Sequence, residues 1–156
     1  MTGPDDDTAA RLRRLGDLEE IRALKARYCR WVDSGYESAG DDAEAFADLF
    51  VDDGVWVVAA EPTVGKEAIR ARAASSRRFK LHLVANAIID VDGDRASGAW
   101  HVLVPSTAAD GRAVWLAGTY EDSFVRTDTG WRFARVVFHA AFRTPYDEGW
   151  AKTPFI

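Results

Sequence analysis

Three histidines, at positions 82, 101 and 139, are the side chains of this sequence best suited to move a proton near neutral pH. His82 and His101 fall early in predicted strands, where alternation assigns each a face. His82 shares its face with Val84, Asn86 and Ile88. His101 shares its face with Ala99 and Leu103, opposite Trp100, Val102 and Val104. His139 goes with Arg135 and Arg143, a wetter setting. Asp33 stands where the first predicted helix ends, facing the negative end of the helix dipole, and a nearby protonatable His would compensate that charge. Asp33-Ser34-Gly35 is equally an ordinary turn sequence. Tyr28 precedes Asp33 by five residues, about 140° round the helix. It can border the same pocket, or simply extend the buried stripe with its hydroxyl at water. Each His, taken alone, also reads as a core or surface residue satisfied locally. Taken together, a His, an Asp and a Tyr are the parts of general acid–base chemistry.

Other chemistries lack their signals. There is no GxGxxG, P-loop or HExxH, and no GxSxG elbow. Ser34-Gly35 and Ser75-Ser76 have no nucleophile context. Cys29 falls in the helical stripe and reads as packing; as the only Cys it cannot form an internal disulfide. Two His without a third clear ligand do not make a metal set. The net charge of -5 argues against a nucleic-acid partner. That charge sums to -7 over residues 1–53 and +2 over 54–156, and the one dense basic patch, Arg70, Arg72, Arg77, Arg78 and Lys80, reads as a solvated helix face and its exit, with an anionic ligand as the alternative. No apolar run reaches the roughly 20 residues that span a bilayer. The start, MTGPDDDTAA, has neither a basic nor an apolar leader region, so a cytoplasmic protein is expected.

The 156 residues, 47% of them hydrophobic, suffice for one domain with one core. Residues 1–7 read as a disordered acidic tail and 8–156 as the domain. From Thr8, the apolar residues Leu12, Leu15, Leu18, Ile21, Leu24, Tyr28, Trp31 and Val32 recur at helical spacing, and Gly35 supplies a stop. A second helix is predicted from Asp41 to about Val51, then a turn at Asp52-Asp53-Gly54 and a short strand at 55–58. A third helix is predicted from Gly65 to about Ser76. Four long strands follow, at about 79–91, 95–106, 112–126 and 131–144, joined by turn-rich connections. Helices followed by such strands indicate an α+β fold with a mostly antiparallel sheet.

This order resembles the SnoaL-like branch of the nuclear transport factor 2-like superfamily. LEEIRALKARYCRWVDSG is similar to the branch's first helix, with its Tyr-x4-Asp arrangement. DDAEAFADLFVDDGVWVV resembles its second helix and first strand, and GKEAIRA its third helix. FKLHLVANAIIDVDGDRASGAW resembles its first long strand pair and GTYEDSFVRTDTGWRFARVVF its last hairpin. The tail FRTPYDEGWAKTPF resembles a pocket-closing extension. The resemblance implies a cone of three helical segments packed on a strongly curved sheet. Three cofactor-free lyases of the branch, scytalone dehydratase, bile-acid 7-alpha-dehydratase and hexachlorocyclohexane dehydrochlorinase, pair a strand His with an Asp at the helix end. Carried over, these are His82 and Asp33. Tyr28 falls on the dehydratases' Tyr, where the dehydrochlorinase has a Lys, and His101 is the candidate for their further acid on the next strand.

The implied activity is elimination or isomerisation on an apolar, polycyclic or aromatic carbonyl compound, with no cofactor and no metal. His82 is the base, Asp33 its orienting partner, and Tyr28, with His101, the donor to the developing enolate oxygen. Asn86 is expected to orient substrate. Trp31, Phe50, Trp56, Trp100 and Trp115 are candidates to wall the cavity. The alternatives are an aldol-type polyketide cyclase and a non-catalytic small-molecule binder, because one fold of this kind hosts several functions. A homo-oligomer, dimer or trimer, is expected, with Trp115 and Trp131 offering surface.

Overall fold

The computed structural model describes residues 4–58, 61–75 and 77–156. The first helix, α1, spans Pro4–Val32. Pro suits a first helical turn, having a fixed φ and no N–H to leave unpaired. Residues 4–7, expected in the tail, are therefore helical, and residues 1–3 lie outside the described residues. Only the later part of the apolar stripe is used: Ile21, Leu24 and Tyr28 are fully buried, whereas Leu12 and Leu15 stay exposed.

The second helix, α2 (Ala43–Ala47), is shorter than its pattern predicts. Asp42 caps it by accepting from the Ala45 N–H. The helix stops before Asp48, and Phe50 already begins a strand, β1 (Phe50–Val57). Asp52-Asp53-Gly54, expected as a turn, lies inside β1, where the pairing register is broken between Phe50 and Val55. There follow β2 (Thr63–Val64), α3 (Lys66–Ala74), β3 (Leu83–Asp92), β4 (Arg95–Thr107), β5 (Ala113–Thr127) and β6 (Gly130–Pro145).

The chain is α+β. Its strands form one curved sheet in the order β2-β1-β6-β5-β4-β3, open at the β2 and β3 edges. β1 runs parallel to β6; every other pairing is antiparallel. The core lies between the sheet's inner face and the helices. Along β4 the inward residues are Trp100, Val102 and Val104, and along β5 they include Tyr120, Asp122 and Phe124.

Strand β3 departs from simple alternation. Asn86 adopts a left-handed conformation (φ 57), and the register with β4 slips between Ala85 and Ile88. This bulge reverses the parity of the strand. Val84 packs against the core before it and Ile89 and Val91 after it, while Ile88, expected on the His82 face, is 74% exposed. Trp131 corrects a second expectation. It is fully buried, with its indole N–H donating to Asp17 (3.2 Å), and offers no surface to another copy.

Candidate active site

Asp33 and His82 are 49 residues apart and meet because the exit of α1 pairs with the segment leading into β3. The Asp33 N–H closes the last helical turn on the Cys29 carbonyl (3.0 Å). Ser34 then forms a strand-like bridge with Lys80, and its hydroxyl donates to the Arg78 carbonyl (2.7 Å). Gly35 makes this approach feasible: its φ is +83, and a Cβ there would lie 2.4 Å from the Phe79 nitrogen. The bridged segment delivers His82 beside the helix end.

Asp33 Oδ1 lies 2.6 Å from His82 Nδ1 and also accepts the His82 backbone N–H at 2.9 Å. Asp33 Oδ2 accepts the Tyr36 hydroxyl at 3.3 Å. Both dyad side chains are nearly dry, 5% exposed for Asp33 and 10% for His82, so their attraction is little screened. Among the described residues, His82 Nε2 has no hydrogen-bond partner. The Tyr28 ring stands edge-on to the imidazole, 6.3 Å between centroids. The Tyr28 hydroxyl accepts from Trp56 Nε1 (2.9 Å) and donates toward the Tyr120 hydroxyl (3.4 Å). Burial pushes the pKa of this phenol up, so it stays a neutral donor.

The remaining candidates are dispersed. His101 is on the outer face of β4, its Nδ1 2.9 Å from Asn86 Nδ2, because Trp100, Val102 and Val104 take the inward positions. It faces away from the core, on the other side of the sheet from Tyr120 and Trp100. Trp115 also faces outward and stacks on Tyr146 rather than walling the core. Trp31 is half-buried at the end of α1, its ring 5.5 Å from the Arg30 guanidinium carbon. Phe50 packs between Phe46 and Phe133 in the core. Trp56 touches the site through Tyr28. Trp100 and Asn86 line a cleft of about 220 Å3 between α1 and β3. Its lining includes Cys29, one turn before Asp33, and Val84, two residues after His82. Burial pushes the Cys29 thiol up to about 12, which leaves it a packing group and not a nucleophile. Among the described residues no three His, Cys, Asp or Glu side chains gather as a metal set.

Sequence reasoning missed a buried ion pair. Lys25 Nζ lies 2.8 Å from Asp122 Oδ2, with both side chains at most 3% exposed. The ammonium sits 3.5 Å from the Tyr120 ring centroid and 4.4 Å from that of Tyr28. Burial lowers the Lys25 pKa and raises that of Asp122 to about 6, while each partner's charge opposes the other's shift. Asp122 Oδ1 has no hydrogen-bond partner among the described residues. The available signal was positional: Asp122 alternates with Tyr120 and Phe124 on a core-facing register. Tyr36 was also missed. It lies beyond the helix, where periodicity carries no information.

The family model for the SnoaL-like domain matches residues 13–137, and the chain belongs to that family. It is similar in structure to a nuclear transport factor 2-like protein with a cystatin-like fold from Novosphingobium aromaticivorans (31% identity, 96% of each chain, TM-score 0.74). A protein provisionally assigned as a scytalone dehydratase from the same organism shares the fold at 24% identity, covering 85% of this chain and 89% of that one, with TM-score 0.74. So does a hexachlorocyclohexane dehydrochlorinase from Novosphingobium barchaimii, at 20% identity, covering 86% and 92%, with TM-score 0.76. No protein of curated function matches the chain significantly.

Proposed function

We propose that this chain is a cofactor-independent dehydratase or related lyase acting on a mostly apolar, ring-containing carbonyl compound. The observation that carries the reading is the 2.6 Å contact of Asp33 with His82 Nδ1 in a dry setting, with Nε2 given no hydrogen-bond partner among the described residues. His82 Nε2 takes a proton from the carbon next to the carbonyl, or from a vinylogous one. Asp33 keeps the other ring proton on Nδ1 and stabilises the imidazolium as it forms, as the carboxylate does in a hydrolase triad. The electron pair of the broken C–H bond moves through the enolate to the β carbon. The β C–O bond breaks, and the departing hydroxyl leaves as water with the proton His82 gained.

The Tyr28 hydroxyl supplies a donor for the enolate oxygen. It is supported by the Trp56 N–H it accepts, and its own proton goes only into the long contact with Tyr120. A donor placed for developing charge is worth roughly 3–4 kcal/mol of barrier. The structural likeness to a dehydrochlorinase and to the scytalone dehydratase assignment agrees with an elimination at the level of fold. The test is to incubate the chain with a panel of cyclic and aromatic β-hydroxy ketones and analyse the products by mass. The reading expects loss of one water and a conjugated carbonyl chromophore. A product formed by carbon–carbon bond closure without that chromophore would instead identify an aldol-type cyclase.

A further inference from the structure

We infer that Tyr36 is a positioning residue for the proposed base: its hydroxyl holds the second carboxylate oxygen of Asp33, which keeps the first on His82. The catalytic consequence rests on the lyase reading; the positioning itself does not, since it concerns only how the dyad is held.

Both donors on Asp33 Oδ1 come from one residue, the ring Nδ1 and the backbone N–H of His82. Turning an Asp carboxylate about its last bond is soft. These two bonds alone therefore leave the group free to pivot on Oδ1. The Tyr36 hydroxyl donates to the other oxygen, Oδ2, and opposes that pivot. Its place is set by the chain and not by Asp33 alone. Gly35, at φ +83, turns the backbone so that a side chain three residues after Asp33 comes back to it. The turn is then tied down: the Tyr36 carbonyl accepts from Ala39 (3.0 Å), the Arg30 carbonyl from Gly40 (3.1 Å) and the Asp33 carbonyl from Asp41 (3.1 Å). The Tyr36 ring centroid lies 6.0 Å from that of Phe79, whose carbonyl accepts from Thr107 on β4 (2.9 Å). Burial, then the charge of Asp33, raises the pKa of the phenol, so it stays a neutral donor. At 3.3 Å the bond is longer than the roughly 2.7–2.8 Å usual between oxygens, so its effect is modest beside that of the dyad itself.

The test compares the full chain with Tyr36→Phe, which keeps the ring against Phe79, first by hydrogen exchange and then by kinetics. Two His82 protons, on the amide and on ring Nδ1, end on Asp33 Oδ1. By NMR both should exchange with water about three- to tenfold faster in Tyr36→Phe. The Gly40 and Asp41 amides, which close the turn without the phenol, should exchange at the unsubstituted rate. With a β-hydroxy ketone as substrate, kcat should fall about three- to tenfold while KM stays within about twofold, because Tyr36 acts through Asp33 and not on the ketone. In an Asp33→Asn background the further effect of Tyr36→Phe on kcat should all but vanish, as expected of two residues that act as one unit. Unaltered exchange at the His82 amide would overturn the inference. So would equally faster exchange at Asp41, which would make Tyr36 an anchor of the turn and not of the carboxylate. An unaltered kcat in a chain that does eliminate water would overturn it as well. If the unsubstituted chain eliminates nothing, the lyase reading fails, and the exchange comparison still decides whether Tyr36 holds Asp33.

Discussion

Asp33 Oδ1 accepts two hydrogen bonds from the same residue, the ring Nδ1 and the backbone N–H of His82, at 2.6 and 2.9 Å. The carboxylate therefore fixes the orientation of the imidazole relative to its own main chain. This is what a base needs: Nε2 is aimed by the fold and not by substrate. It also compensates an acid placed at an unfavourable helix C-terminus, since the carboxylate accepts from an adjacent ring and amide.

His101 lies on the opposite face of the sheet from the core, and its Nδ1 contacts Asn86. His101→Ala should leave kcat/KM within about twofold and stability within about 0.5 kcal/mol, as for other surface changes. Steady-state kinetics of the variant check this. A loss of a hundredfold would return His101 to the site.

The contrast between the two histidines says how much of the site could be read in the sequence. Asp33 at a helix stop and His82 at a strand entry are both positions that local patterns mark. Their meeting depends on the Ser34–Lys80 bridge, which no local pattern announces. The face of His101 is legible from Trp100, Val102 and Val104 opposite it, and the structure keeps it on that outer face, away from the place the resemblance implies. The bulge at Asn86 carries only a weak local mark, because Asn tolerates a left-handed conformation but is common in ordinary positions too. Lys25 hid beside Leu24 in a helix where charged residues at neighbouring positions mostly face water. The four long strands and their turns were legible to within a few residues because alternation and Asp-Gly turns are local signals.

Removing the Tyr28 hydroxyl tests the network behind the dyad. Tyr28→Phe leaves the Trp56 indole N–H buried without its acceptor. The cost should be about 1–3 kcal/mol of stability, read from urea midpoints.

Breaking the Lys25–Asp122 pair should cost more than replacing it. Lys25→Met alone strands the Asp122 carboxyl, a change worth about 3–5 kcal/mol, whereas adding Asp122→Leu should recover most of the loss. The pair also has a pH signature. Burial places the Asp122 pKa above its unfolded value of 3.8, at about 6 in the fold. The folded state thus takes up the proton first as pH falls. The associated stability is fully present below the unfolded pKa and is lost as pH rises through about 6. Asp122→Asn should remove this dependence when urea midpoints are compared across that window.

Asp17 should contribute the opposite slope. Its carboxylate accepts two hydrogen bonds from Arg126 (2.7 and 2.9 Å) and one from Trp131 (3.2 Å). The Arg126 hydrogen bond is the main reason its pKa lies below 3.8, with burial opposing. The unfolded chain therefore takes up the proton first, and stability from this contact, present above the unfolded pKa, drains as pH falls below it. Acid titration of Asp17→Asn should show a shallower loss below about pH 4 than the unsubstituted chain.

The decisive measurement is elimination from a β-hydroxy ketone turned over by the unsubstituted chain, repeated with His82→Gln and Asp33→Asn under saturating substrate. Loss of the base should lower kcat by a factor on the order of a hundred to ten thousand, with the ketone still bound. Asp33→Asn, which no longer holds the imidazolium, should fall comparably. A folded His82→Gln chain that eliminates water at the unsubstituted rate would contradict the assignment of His82 as the base.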